Sequence, residues 1–160
     1  GALSLPNTGM AVTIDIGNPD NIHPKNKQDV GKRLALWALA RTYDVLQPNR
    51  EPIPHSGPLL RGARVEGDTI RLTFDHVYDG LQTSDGEALK GFTLAGDGGP
   101  FKPAEARIVD DAVVVSRADM ENPMFVRYAW AVDPEGNLVN SAGLPASPFR
   151  TDERPFVTGP

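Results

Sequence analysis

No cysteine occurs in the 160 residues, which excludes disulfides, thiolate nucleophiles and cysteine-ligated zinc. That absence does not decide the compartment, since periplasmic and secreted proteins of this size fold without disulfides. No apolar run approaches the roughly 20 residues a membrane helix requires, so no membrane span is expected. Positive charge is scarce: 16 Lys and Arg stand against 21 Asp and Glu, a net charge of -5. The two signs are interspersed, leaving no extended basic surface for a phosphate backbone, and nucleic acid is not an expected partner. Internal repeats and low-complexity tracts are also lacking. The start, Gly1-Ala2-Leu3-Ser4, has neither an initiator methionine nor a signal-peptide pattern, as in a cleavage product or a mature terminus.

What is present fits a globular chain with one ordinary core, or one small domain plus a remnant of another: 39% hydrophobic and 23% charged residues. Met10-Ala11-Val12-Thr13-Ile14-Asp15-Ile16 is a short, mostly apolar run that predicts a strand buried on both faces. Gly17-Asn18-Pro19 breaks it. Lys25 to about Tyr43 then predicts a helix, with Val30, Leu34, Trp37 and Ala38 on one stripe, widened by Leu36, Leu39 and Ala40 so that its later turns are covered by protein. Pro24 suits the first helical turn. Lys25, Asp29, Lys32 and Arg33 are placed for helical charge pairs, and Gly31 for close packing against the strand.

Asp44 to Pro58 carries Pro48, Pro52, Pro54, Gly57 and Pro58, the composition of a linker or an extended crossing strap. Beyond it the period changes to two. Arg61–Glu66 and Thr69–Phe74 around Gly67-Asp68 predict a hairpin with Ile70, Leu72 and Phe74 on one face. Leu89–Ala95, Ala104–Val109, Ala112–Ser116, Phe125–Val132 and Leu138–Asn140 follow as further strands, with turns at Asp110-Asp111 and at 133–137. Many short strands without a helical pattern indicate an all-β sandwich. Val126, Tyr128 and Trp130 are expected on one strand face, where core is favoured over a sugar-stacking platform.

The chemistry concentrates in Asp20-Asn21-Ile22-His23-Pro24, on the loop leaving the first predicted strand, where open α/β sheets place catalytic groups. An aspartate three residues ahead of a histidine can hold one imidazole nitrogen and leave the other free for proton transfer, which is two thirds of a Ser-His-Asp triad. A metal reading with Asp15, Asp20 and His23 lacks a second histidine at ligand spacing, and no cofactor or metal is called for. None of Ser4, Ser56, Ser84, Ser116, Ser141 and Ser147 stands in Gly-Asp-Ser or Gly-x-Ser-x-Gly. His55-Ser56-Gly57 comes nearest but lies in the strap, and His76 reads as a turn or edge residue.

Asp15-x-Gly17 with Asp20-Asn21-Ile22-His23-Pro24-x-Asn26-Lys27-x-x-x-Gly31-x-Arg33-Leu34-Ala35 resembles the last catalytic block of sialate O-acetylesterases, in the SGNH hydrolase superfamily. Gly91-Phe92-x-Leu94-Ala95-Gly96, Val126-Arg127-Tyr128-Ala129-Trp130 and Gly143-Leu144-Pro145-Ala146-x-Pro148-Phe149-Arg150-Thr151-Asp152 resemble the same family's carboxyl-terminal segment. The resemblance implies an α+β chain. Residues 1–47 would be the strand-loop-helix remnant of an SGNH α/β domain, and 48–160 an all-β sandwich domain. It also implies that Asp20 and His23 are catalytic, that the substrate is an O-acetylated sugar such as a sialic acid, and that the location is periplasmic or secreted. The family's serine and oxyanion hole lie upstream, so the missing N-terminal part of the esterase becomes an expected partner and the chain alone is expected to be inactive. The alternative is a non-catalytic β-sandwich module for carbohydrate binding or scaffolding.

Overall fold

The computed structural model describes residues 5–154, in which a single helix precedes a set of short strands. The helix α1 (Lys27–Arg41) is capped by Asn26, whose side chain accepts from the Asp29 backbone N–H. Lys25 and Pro24 thus lie outside the helix. The strands are β1 (Leu59–Glu66), β2 (Thr69–Asp75), β3 (Leu81–Thr83), β4 (Phe92–Ala95), β5 (Lys102–Pro103), β6 (Glu105–Val109), β7 (Ala112–Ser116), β8 (Phe125–Tyr128), β9 (Leu138–Asn140) and β10 (Phe149–Arg150). They form two antiparallel four-stranded sheets, β1-β2-β7-β6 and β10-β8-β4-β5, and the pair β3-β9. The described chain is mostly β with one helix, as an α+β reading requires.

Alternation builds the core. Ile70, Leu72 and Phe74 of β2 and Val113 and Val115 of β7 point to one side of the first sheet, and join Phe92, Leu94, Val126, Tyr128 and Phe149 of the second in one buried cluster. Aromatic rings fill its centre: Tyr128 and Phe149 stack with centroids 5.6 Å apart, and Phe92 lies 4.7 Å from Tyr128. The Tyr128 hydroxyl accepts from the Leu138 backbone N–H at 3.0 Å, and burial pushes its pKa up to about 12. The predicted hairpin is present, with Glu66 opposite Thr69 across a two-residue turn where Gly67 takes φ 64°.

The strap is tied to this body by the Tyr78 hydroxyl, which accepts from the His55 N–H at 3.1 Å, and by the side chain of Asn140. Asn140 is fully buried; its Nδ2 donates to the carbonyls of Ser56 (2.9 Å) and His76 (2.8 Å), and its Oδ1 accepts from Ala142 and Leu144. Every hydrogen-bonding position of that amide is used, as burial demands. Gly57 passes so close to Pro145 that a Cβ would stand 1.9 Å from its carbonyl oxygen, so only glycine fits.

Four further expectations are corrected. Residues 10–16 form no strand: a turn closes from the Ile16 N–H to the Thr13 carbonyl, and no described strand lies alongside to complete a ladder. The helix is not covered, since none of its residues is buried and Leu34 is 52% exposed. Gly31 serves no close contact, because a Cβ there would meet nothing within 4 Å. The last predicted long strand stops at Tyr128, where Ala129 turns to φ 48° and throws Trp130 off the face shared by Val126 and Tyr128.

Candidate active site

The segment between residues 10–16 and α1 is shaped by short polar side chains. Asn18 Oδ1 accepts from the Asp20 N–H at 2.9 Å, and Asn21 Oδ1 accepts from the His23 N–H at 2.8 Å. These are Asx turns, in which the side chain substitutes for a backbone acceptor and bends the chain locally. Asn26 repeats the device as the helix cap. The result is a run of tight turns that carries Asp20 and His23 to the surface, both exposed.

The two side chains are on one loop but are not joined. Among the described residues, neither the Asp20 carboxylate nor the His23 ring makes a hydrogen bond or ion pair, and the loop's internal bonds run through asparagines instead. Asp15 is occupied: its carboxylate takes a bidentate pair from Arg33, at 2.6 Å to each oxygen, which removes it from any ligand set with Asp20 and His23. That bond raises the Arg33 pKa, with burial opposing. No group of three or more His, Asp or Glu among the described residues could hold a metal ion.

Two of the described serines and the other histidines serve the fold. The buried Ser56 hydroxyl donates to the Gly57 carbonyl at 2.9 Å, and Ser141 Oγ accepts from the Asp79 N–H. Ser4 lies outside the described residues. His55 is wedged edge-on between Trp37 (4.6 Å between centroids) and His76 (5.3 Å), joining α1 to the β body.

Beside the loop runs a groove of about 1360 Å³. Its lining includes Asn21, Ile22 and Pro24 together with Phe101, Arg127 and Arg150. Arg127 lies over the Phe101 ring at 3.8 Å while its edge is engaged by the buried Asp152. Position by position this pairing has no sequence signal, because 25 residues separate the partners. Arg33 and Asp15 escaped for the same reason, at a separation of 18.

No family model matches the chain. Among solved structures it is similar to a carbohydrate acetylesterase from Xanthomonas citri, with TM-score 0.87 and 44% identity over 95% of this chain and 34% of that one. The class it resembles is thus that of carbohydrate acetylesterases. Among curated proteins it is 28% identical over 158 residues to the sialate O-acetylesterase of Mus musculus and 28% identical over 163 residues to that of Rattus norvegicus. In both, the match covers 91% of this chain, which spans only 28% of their length. Together these relatives support a sialate O-acetylesterase-like family for the chain.

Proposed function

We propose that this chain is part of a carbohydrate esterase that removes O-acetyl groups from sialic acid or related sugars, with Asp20 and His23 as two members of a Ser-His-Asp triad. The observation that carries the reading is the 44% identity to a carbohydrate acetylesterase over 95% of the chain. In this mechanism Asp20 holds the Nδ1–H of His23 and stabilises the imidazolium. Nε2 takes the proton from a serine as it attacks the acetyl carbonyl, then returns it to the departing sugar hydroxyl. The serine belongs to an N-terminal part of the esterase outside this chain. Residues 1–47 are then the end of an SGNH domain and 48–160 a β-sandwich, a division supported by two four-stranded sheets that share one core.

Support for a docked catalytic part also comes from what stays uncovered: Ile22 on the candidate loop is 90% exposed, Leu34 on α1 52% and Met10 39%. Docking would add neighbours to residues 10–16 and press Asp20 and His23 together. The test is turnover of p-nitrophenyl acetate by this chain, alone and joined to a serine-bearing upstream segment. Activity is expected only in the joined protein, and His23→Ala should abolish it. Robust turnover that survives His23→Ala would overturn the triad.

A second reading, a non-catalytic carbohydrate-binding or scaffolding module, is favoured by the groove beside Phe101 and Arg127. Titration of the whole chain with neutral and acidic oligosaccharides separates the two, because binding without turnover in the joined protein supports only the second.

A further inference from the structure

The segment that enters the Asp20–His23 loop and the helix that leaves it are fastened together at the loop's base. Arg33 Nη1 and Nη2 each donate to one oxygen of Asp15 at 2.6 Å, and Nη1 also donates to the Val12 carbonyl at 2.6 Å. Four residues further on, and so on the same face of α1, Trp37 Nε1 donates to the Met10 carbonyl at 2.9 Å. The Trp37 ring lies against Gly9, where a Cβ would come within 2.6 Å. Although α1 buries no residue completely, the Arg33 side chain is only 11% exposed. The chain from 15 to 33 is thereby a closed ring, covalent on one side and hydrogen-bonded on the other. Closing a loop restricts the conformations its interior residues can reach.

We propose that Arg33, through its fork on Asp15, is a positioning residue that fixes the Asp20–His23 loop. A planar guanidinium suits this task because it meets both carboxylate oxygens at once and still reaches a backbone carbonyl; a lysine offers one point of attachment. The proposal adds a role for Arg33 and Asp15 to the esterase reading and rests on that reading only for the word catalytic. The clamp itself is a property of this chain.

The test is ¹⁵N relaxation on the full chain and its Arg33→Gln, Arg33→Lys and Asp15→Asn variants. Order parameters for residues 18 and 20–23 should fall from about 0.85 to below about 0.6 in Arg33→Gln and Asp15→Asn, with Arg33→Lys between. Amides of β2, β7 and β8 should keep their shifts. The ring resonance of His23 should shift in Arg33→Gln, and Arg33→Lys should reverse part of that shift, which general loss of helix packing would not produce. Unchanged loop order in both Arg33→Gln and Asp15→Asn overturns the proposal. Should Arg33→Gln fail to fold, Asp15→Asn decides, since it keeps the arginine; failure of both to fold also overturns it. If the loop loosens as expected but His23→Ala leaves turnover by the joined protein unchanged, the catalytic reading fails while the clamp stands.

Discussion

Arg127 and Asp152 meet edge to edge, Nε to Oδ2 and Nη2 to Oδ1, both at 2.7 Å, with the aspartate side chain wholly out of solvent. The pair fastens the last described residues to β8, and Thr151 adds a hydrogen bond from its N–H to the Val126 carbonyl. Removing one partner strands the other's charge. Asp152→Ala should cost about 3 kcal/mol, the lower end for a broken buried pair because Arg127 keeps some access to water. Urea unfolding at neutral pH measures it.

The same pair sets an acid limit. The hydrogen bond from Arg127 holds the Asp152 pKa below the usual carboxylate value, against the opposing effect of burial. A depressed carboxylate contributes stability that is present above its unfolded pKa of about 4 and is lost as pH falls through the folded value. The unfolding midpoint should therefore drop below pH 4 more steeply in the parent than in Asp152→Asn.

His76 works with the opposite charge and fails at milder acidity. Burial foremost, then the neighbouring His55 ring, lower its pKa, with Arg41 adding to the effect and Asp75 opposing it. A histidine kept neutral in the fold takes up its proton more readily when unfolded, so its contribution falls as pH drops below about 6.5. His55→Gln should raise the His76 titration midpoint and soften that loss, as NMR titration of the ring would show. A midpoint that stays put would mean that His55 plays no part and that burial and Arg41 are responsible.

Asn140→Ala removes four hydrogen bonds at once and leaves the carbonyls of Ser56 and His76 without their donor. A cost of about 3 kcal/mol is expected, since each group left unpaired in the interior costs about 1 kcal/mol or more. Proteolysis should then cut the strap between residues 47 and 56 before any strand.

Leu34→Glu separates the protein's own stability from the docking of the proposed upstream part. Leu34 is 52% exposed, so the substitution should change the unfolding free energy of this chain by less than about 0.5 kcal/mol. In the protein joined to the proposed serine-bearing segment, it should weaken assembly and lower turnover. Unaltered turnover would count against the helix face as the docking surface.

The β body was legible because its signals are local. Alternation in Thr69–Phe74 and Ala112–Ser116 and the Gly67-Asp68 turn are contained in a few residues, and β1, β2, β6 and β7 lie close to where the pattern puts them. The very short β5 and β10 offer two residues each, too few for a period to register. Trp130 was misassigned since the positive φ of Ala129 is imposed from outside and no residue type announces it. At the candidate site, the apolar run 10–16 looks like a strand on composition alone, yet pairing needs a neighbour. What holds it instead, Arg33 and Trp37, acts at separations of 18 and 27 residues, beyond the reach of any local pattern.

The phenol of Tyr128 gives the interior an optical signal of its own. Held un-ionised to about pH 12 while an unfolded tyrosine releases its proton near pH 10, it stays dark in the phenolate band as long as the sheets remain closed. Between those two pH values each opening of the core frees one proton, so opening becomes about tenfold more favourable per pH unit. Alkaline spectrophotometry thus times the breathing of this interior through a chromophore the protein already carries.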